Sequence, residues 1–197
     1  MAQSHAALDR RAAVAALLRD RGDLLVVTGL GSPSYDVHAA GDTDANYYLW
    51  GAMGAAALVG LGLAQAKPER KVLVITGDGE QLMGLGGLAT IAVSKPKNLV
   101  VAVIDNGHFG ETGMQESHTA HGIDLAQVAS VCGFADARRV EDMAGVEAAR
   151  DALHQSADGP RLFLLKVKAD NLPRSLPPRD AVHLKNRFRA HLGLPVN

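Results

Sequence analysis

The chain has 197 residues, 47% of them hydrophobic and 21% charged, and its formal net charge is −1. This length suits one well-filled domain over residues 1–197, and the near-neutral charge argues against a basic nucleic-acid-binding surface or a disordered acidic tail. No apolar run reaches the ~20 residues of a membrane span. The amino-terminal segment carries Asp9, Arg10 and Arg11 where a signal peptide would be apolar. We therefore expect a cytoplasmic protein whose partners are neither membranes nor nucleic acids.

Apolar runs alternate with stretches of helical period along the chain. The predicted helices lie at about 6–20, 52–66, 82–94, 124–131, 143–156 and 181–192, and the predicted strands at 24–28, 71–76, 99–104, 135–140 and 161–168. The polar stretch between the first strand and Tyr48 is predicted to be irregular.

The runs "VLVIT" and "LVVAVI" are apolar on both faces, which is typical of parallel strands covered by helices on each side. The sequence thus predicts an α/β domain with a doubly wound, mainly parallel sheet and helices on both faces. Its core spans about 24–168. The proline-rich extension 170–197 is predicted to wander over the surface before the last helix.

A single acid stands between two glycines at the end of one predicted strand, in Gly77-Asp78-Gly79. A carboxylate in such a loop can present an oxygen to a cation while the bare backbone approaches a ligand. A plain tight turn is the alternative, because Asp is common in turns. Twenty-six residues lie between Gly79 and Asn106, the length of one helix and the next parallel strand. Both loops should therefore leave the same edge of the sheet, where ligands bind in open α/β folds.

The sequence "GDGE…IDNGH" resembles the thiamin-diphosphate-binding motif of thiamin-dependent enzymes, in which Asn follows Gly-Asp-Gly after roughly 24–27 residues. The segments "YYLWGAMGAAALVGLGLAQAKPERKVLVITGDGEQLMGLGGLATIA" and "VIDNGHFGETGMQ" extend the similarity to 2-oxo acid decarboxylases that act on sulfopyruvate or phosphonopyruvate. The resemblance covers about residues 24–168. It implies thiamin diphosphate and Mg²⁺ as cofactors.

Carried over by position, the resemblance implies that Asp78, the Asn106 side chain and the main-chain oxygen of His108 bind Mg²⁺. Such oxygen ligands suit Mg²⁺, which usually completes its octahedral coordination with phosphate and water oxygens. The residues implied to contact the cofactor are Gly51, Ala52, Met53, Gly77, Gly79, Glu80, Asn106, His108, Phe109 and Gly110. Many relatives carry Ser where this chain has Glu80, whose carboxylate must point away from a diphosphate or cap the helix.

The segment "GAMG" resembles the element that receives the aminopyrimidine ring of the cofactor. The resemblance implies that the Gly51 carbonyl accepts a hydrogen bond from the 4′-amino group. Met53 would be the wedge that bends the cofactor, although a methionine can equally be an ordinary core residue.

In this family the glutamate that activates the cofactor comes from a separate pyrimidine-binding domain, and nothing in the sequence corresponds to that domain. We therefore expect a second subunit that supplies the glutamate, in an α2β2 or larger assembly. Glu111 and Glu116 are weaker candidates for a substitute, because both follow the metal loop.

The implied reaction is decarboxylation of a small 2-oxo acid, and the resemblance leaves the identity of that acid open. A thiamin-dependent carboligase, or a non-catalytic nucleotide-binding module, remains an alternative, although no intact GxGxxG or Walker A motif is present. His118 and His121 could donate protons, but we interpret them as surface or interface residues. Three arginines, Arg138, Arg139 and Arg161, are interpreted as solvated charges.

Overall fold

A computed structural model describes residues 8–196 of the chain. Six strands form a parallel sheet in the order β2-β1-β3-β4-β8-β7. The strands are β1 (Leu25–Thr28), β2 (Asn46–Tyr48), β3 (Val72–Gly77), β4 (Leu99–Asp105), β7 (Asp136–Val140) and β8 (Arg161–Lys166), and a separate antiparallel hairpin joins β5 (His108–Phe109) to β6 (Gln115–Glu116). The predicted parallel α/β class is confirmed.

Eight α-helices accompany these strands in the described part of the chain. They are α1 (Arg10–Leu17), α2 (Ser32–Ala39), α3 (Ala56–Ala66), α4 (Asp78–Met83), α5 (Gly87–Ser94), α6 (Leu125–Cys132), α7 (Met143–His154) and α8 (Ala181–His191). Short 3₁₀ turns lie at Gly110–Thr112 and His118–His121. The start of the first predicted helix falls partly before residue 8, outside the described residues. No helix among residues 8–196 is long and apolar enough to cross a membrane.

The sheet separates two apolar layers, which explains why its central strands are mostly apolar. Leu73 and Ile75 of β3 pack into the layer that contains α1 and α7, whereas Val72 and Val74 pack into the layer that contains α3, α5 and α6. All four side chains are fully buried. Successive side chains of a strand point to opposite faces, so a strand that is buried on both faces consists mainly of apolar residues.

Glycines shift two helix boundaries from their predicted places. The helix predicted at 52–66 begins only at Ala56, because Gly51 and Gly54 both have φ of +88°. The helix predicted at 82–94 is two helices, α4 and α5, and α4 already begins at Asp78. A Cβ at Gly84 would lie 2.0 Å from the Gly54 carbonyl oxygen, so the break between α4 and α5 allows a close backbone approach.

The segment predicted to be irregular before Tyr48 contains α2 and β2, and that prediction was wrong. Its sequence "SPSYDVHA" lacks a clear apolar stripe, yet Pro33 lies in the first turn, where proline is tolerated. Helix α2 buries Tyr35 and Val37 against the fold. Tertiary packing, rather than local helical preference, stabilises this helix.

Residues 170–180, which we call the strap, lack regular secondary structure but are anchored to the domain. Four hydrogen bonds fix them: Arg10 Nη1 to the Asp170 carbonyl at 3.1 Å, Arg11 Nη2 to the Pro173 carbonyl at 2.8 Å, His38 Nδ1 with Ser175 Oγ at 2.8 Å, and Trp50 Nε1 to the Pro178 carbonyl at 2.8 Å. Helix α8 then packs on β2, with the Phe188 and Tyr47 rings 5.5 Å apart. The extension therefore follows a fixed path.

Candidate functional site

A cleft of about 160 Å³ opens at the carboxyl edge of the sheet, beyond β3 and β4. Nine of the residues predicted to bind the cofactor or metal line it: Met53, Gly77, Asp78, Gly79, Glu80, Asn106, His108, Phe109 and Gly110. Gly51 and Ala52 are exposed and are not among the lining residues. The cleft is also lined by six residues that the sequence did not predict: Arg10, Leu30, Ser32, Pro33, Ile104 and Thr112.

Asp78 is the first residue of α4 and is only 2% exposed. Its Oδ2 accepts hydrogen bonds from the hydroxyls of Ser117 and, at 2.9 Å, Thr119. Burial raises the pKa of the Asp78 carboxyl, and the nearby Asp105 carboxylate raises it further, while the two hydroxyl groups oppose the shift. A buried carboxylate with one oxygen held in place is suited to receive a cation on the other.

A second buried carboxylate lies behind Asp78 in the same network. Asp105 Oδ1 is 2.7 Å from Thr119 Oγ1 and accepts a hydrogen bond from the Gly107 N–H at 3.0 Å. Its Oδ2 lies 2.7 Å from Lys166 Nζ. Since Thr119 has one hydroxyl proton, it can donate to only one of the two aspartates at a time. Lys166 therefore supplies the positive charge that keeps two adjacent carboxylates compatible.

The chain after β4 folds back so that Ser117 and Thr119 reach Asp78. Asn106 Oδ1 accepts a hydrogen bond from the His108 N–H at 2.9 Å, which shapes the turn out of the strand. The β5–β6 hairpin then returns the chain, and the Ser117 N–H donates to the Gly107 carbonyl at 2.7 Å. The two hydroxyl residues were missed because their role depends on this hairpin, which the sequence did not predict.

Gly79 leaves space that Phe109 fills. A Cβ at position 79 would lie 2.5 Å from Cε1 of the Phe109 ring, closer than real Cβ contacts allow. The Phe109 ring therefore packs directly on the backbone of the first turn of α4. The first N–H groups of a helix have no partner within the helix, so they can donate to a ligand.

The Glu80 side chain reaches the loop after β1. It is 5% exposed, and its Oε2 accepts a hydrogen bond from the Leu30 N–H at 3.0 Å. Burial raises the pKa of Glu80, and the hydrogen bonds it accepts oppose that shift. A Cβ at Gly29 would overlap this carboxylate, so the contact requires glycine there. Glu80 thus links α4 to the loop that leads into α2.

Met53 stands at the rim of the cleft with 44% of its surface exposed. The loop that carries it turns sharply at Gly51 and again at Gly54 before α3 begins. The alternative that Met53 is an ordinary buried core residue does not match this exposure.

The remaining candidate residues have diverse surroundings. Glu111 lines the cleft and pairs with Arg174 at 3.0 Å, whereas Glu116 is exposed and lies 3.3 Å from His121 Nε2. His118 is also exposed.

Arg161 is 7% exposed and donates to the carbonyls of Ala152, Gln155 and Ser156, so its interpretation as a solvated charge was wrong. Arg138 and Arg139, on edge strand β7, are about half exposed.

No cluster of three or more His, Cys, Asp and Glu side chains suitable for a metal occurs among residues 8–196. A metal site built from one carboxylate, one amide and one main-chain carbonyl, as the sequence predicts here, needs no such cluster. Asp78 and Asn106 do lie beyond neighbouring strands, because β3 and β4 pair with Gly77 opposite Ile104.

The sequence also aligns with known proteins. Sulfopyruvate decarboxylase subunit beta of Methanocaldococcus jannaschii is 43% identical over 110 residues, covering 56% of this chain and 58% of that protein. The subunit beta of Methanothermobacter thermautotrophicus is 37% identical, covering 84% of this chain and 85% of that protein. Phosphonopyruvate decarboxylase of Streptomyces viridochromogenes is 38% identical, and the alignment covers 88% of this chain and 43% of that protein. The chain thus spans only about half the length of some of these relatives.

The fold has solved counterparts. The crystal structure of benzoylformate decarboxylase from Polynucleobacter necessarius superposes with a TM-score of 0.69 at 19% identity, covering 84% of this chain and 34% of that one. A model of the family described as thiamine pyrophosphate enzyme, C-terminal TPP binding domain, matches residues 33–167. This chain therefore belongs to the family of C-terminal thiamin-diphosphate-binding domains of thiamin-dependent enzymes.

Proposed function

We propose that this chain is the thiamin-diphosphate- and Mg²⁺-binding subunit of a 2-oxo acid decarboxylase that acts on sulfopyruvate or phosphonopyruvate. The observation that carries the proposal is the placement of Asp78 and Asn106 beyond paired strands, in one cleft, within a chain of this family. The names of the similar decarboxylases support the reaction. Residues 1–197 would act as one domain with its core at about 24–168.

The metal would be held by the free oxygen of Asp78, the side-chain oxygen of Asn106 and the main-chain oxygen of His108. Two features fit a hard cation there: Asp78 is buried, and its other oxygen is fixed by Ser117 and Thr119. Burial also raises the pKa of Asp78, and a bound cation would offset that shift because it stabilises the charged carboxylate. Mg²⁺ would take its remaining oxygen ligands from diphosphate and water.

The cofactor would lie along the cleft from the backbone of Gly77, Gly79 and Glu80 toward Met53. The main-chain N–H groups of the first turn of α4 suit phosphate oxygens, because they have no partner within the helix. The remaining proposed contacts are Gly51 through its carbonyl, Ala52, Phe109 and Gly110. Met53 would support the bent cofactor from the rim. When bound, the thiazolium ring supplies the electron sink for loss of CO₂.

A second subunit would complete the site. The proposed partner carries a pyrimidine-binding domain and the activating glutamate, and the assembly would be α2β2 or larger. The similarity to proteins named subunit beta supports a two-chain enzyme. Glu111 is a poor substitute for the activating glutamate, because Arg174 and Tyr35 already occupy its Oε2.

The test is reconstitution with a candidate pyrimidine-domain subunit, followed by a CO₂-release assay with sulfopyruvate, phosphonopyruvate, pyruvate and benzoylformate. We expect no turnover from this chain alone, even with thiamin diphosphate and Mg²⁺, and turnover when the partner is added. A Glu→Gln change in the partner should remove the activity again. Turnover by this chain alone would contradict the two-subunit proposal, and ligation without CO₂ release would identify a carboligase.

A further inference from the structure

A second cavity of about 140 Å³ opens beside the cleft. The lining residues common to both are Arg10, Ser32, Gly110 and Glu111. The remaining wall consists of Tyr35 and three strap residues, Asn171, Leu172 and Arg174. The cavity, which we call the side pocket, therefore lies between the proposed cofactor cleft and the strap, and two guanidinium groups line it.

Arg10 is 2% exposed yet reaches both cavities. Its Nε lies 2.7 Å from Asp36 Oδ2, and its Nη1 donates to the Asp170 carbonyl. Its Nε and Nη1 are thus held by protein oxygens. Arg11 Nε lies 3.1 Å from the other oxygen of Asp36, so two cations share one carboxylate. This cluster has a net charge of +1 beside the side pocket.

Arg174 faces the side pocket from the strap. Its Nη2 lies 3.0 Å from Glu111 Oε2, and its guanidinium carbon is 5.8 Å from the centre of the Tyr35 ring. The side chain is 58% exposed. A guanidinium carries five N–H donors, so one ion pair leaves donors for a ligand. The ion pair and the ring fix the direction of those donors.

We propose that Arg10 and Arg174 bind a tetrahedral oxyanion, sulfonate or phosphonate, carried by the 2-oxo acid substrate, and so determine which acid is used. This inference rests on the proposed function. Arginine matches the paired oxygens of such groups and supplies charge-assisted hydrogen bonds. The side pocket shares four lining residues with the cleft, so a substrate with its ketone in the cleft would place its second acid group next to these arginines. Pyruvate lacks that group and gains nothing from either arginine.

The test uses Arg174, because Arg10 is buried and its loss would disturb the fold. In the assembled two-subunit enzyme, Arg174→Gln should raise KM for sulfopyruvate or phosphonopyruvate at least about ten-fold, as expected for a lost charged hydrogen bond. The KM for pyruvate should change by less than about two-fold, and kcat should change little with any substrate. Arg174→Lys should recover part of the loss, since it restores the charge without the fork. Comparing the two oxyanion substrates shows which one the pocket prefers.

Arg179→Gln is the matched control. Arg179 belongs to the same strap but lies over the Trp50 ring, 5.8 Å from its centre, and lines neither cavity. The Arg179→Gln variant should leave every KM unchanged. Equal KM changes for pyruvate and the oxyanion substrates in Arg174→Gln, or no change at all, would overturn the inference. If the wild-type enzyme turns over none of these acids, the proposed function fails, and calorimetric titration with sulfopyruvate and phosphonopyruvate decides the pocket separately. Binding that Arg174→Gln abolishes supports it, whereas absent or unaltered binding refutes it.

Discussion

Asp78 lines the cleft and Arg174 lines the side pocket beside it, but their surroundings differ. Asp78 is buried and held by two hydroxyl groups, and the carboxylate behind it is paired with Lys166. Arg174 is mostly exposed and held by one carboxylate and one ring on a segment without regular structure. A preorganised edge suits a cofactor that is always the same. A more exposed strap can change its side chains without disturbing the sheet, which suits the choice of substrate.

Gly79 is the position at the sheet edge where we expect the largest effect, because its missing Cβ leaves room for the Phe109 ring. Gly79→Ala places a methyl group against the Phe109 ring, so we expect affinity for thiamin diphosphate with Mg²⁺ to fall by about 100-fold or more and the fold to lose about 1–3 kcal/mol from overpacking. Calorimetric titration and thermal unfolding measure the two effects. Gly86→Ala is the control, because no heavy atom lies within 4 Å of its added Cβ. Similar behaviour of the two variants would argue against a cofactor at Gly79.

A substitution at Met53 tests whether the orientation of the cofactor can be separated from the affinity for it. We expect Met53→Ala to lower kcat by about ten- to a hundred-fold and cofactor affinity by much less, because the proposed wedge orients the cofactor while the diphosphate is anchored elsewhere. Steady-state kinetics of the assembled enzyme measure kcat. Met83→Ala is a suitable control, since Met83 is 61% exposed and does not line the cleft. Wild-type turnover of Met53→Ala would remove the wedge from the proposal.

Helix α8, which follows the strap, is held to the domain by a pH-dependent ion pair. Arg187 of α8 forms two contacts with Asp42, at 2.7 and 2.9 Å, and the Tyr48 hydroxyl donates to the same carboxylate at 2.9 Å. Burial alone would raise the pKa of Asp42, but the hydrogen bonds from Arg187 and Tyr48 outweigh it, so the pKa is lowered. A lowered pKa means that the carboxylate stabilises the fold above its unfolded-state pKa and ceases to do so as pH falls through the folded value.

We therefore expect Asp42→Asn to cost about 1–3 kcal/mol at pH 7, or several degrees in Tm, and the difference from wild type to shrink as pH falls below about 4. Thermal unfolding of both proteins between pH 3 and pH 7 measures this. Asp158→Asn, at a fully exposed carboxylate, should match wild type throughout. Cofactor affinity at the sheet edge should be the same in Asp42→Asn as in wild type. A constant Tm difference at all pH values would show that the ion pair does not account for the stability.

Local pattern was sufficient to predict part of this molecule. The apolar runs of β3 and β4 predict a sheet covered on both faces, and Gly77-Asp78-Gly79 with Asn106 predicts where their loops meet. Helix α2 was missed because its burial, rather than its sequence, stabilises it. The split between α4 and α5 depends on the approach of Gly84 to Gly54, which no local pattern records.

The side chains around the site were harder to predict. Ser117 and Thr119 reach Asp78 across about 40 residues only because the β5–β6 hairpin turns the chain back. Arg10 and Arg174 come together across most of the chain, through hydrogen bonds from Arg10 and Arg11 to strap carbonyls. Such contacts depend on the tertiary path, and single-sequence patterns do not contain it.

The most direct test of the central claim is calorimetric titration of the assembled enzyme with thiamin diphosphate, with and without Mg²⁺, for wild type and Asp78→Asn. Asparagine keeps an acceptor for Ser117 and Thr119 but removes the anionic metal ligand. We expect tight binding that requires Mg²⁺ in wild type, and a loss of about 100-fold or more in Asp78→Asn with an unchanged Tm of the cofactor-free protein. Equal, Mg²⁺-dependent affinity in both proteins would contradict the assignment of Asp78 to the metal and, with it, the proposed site.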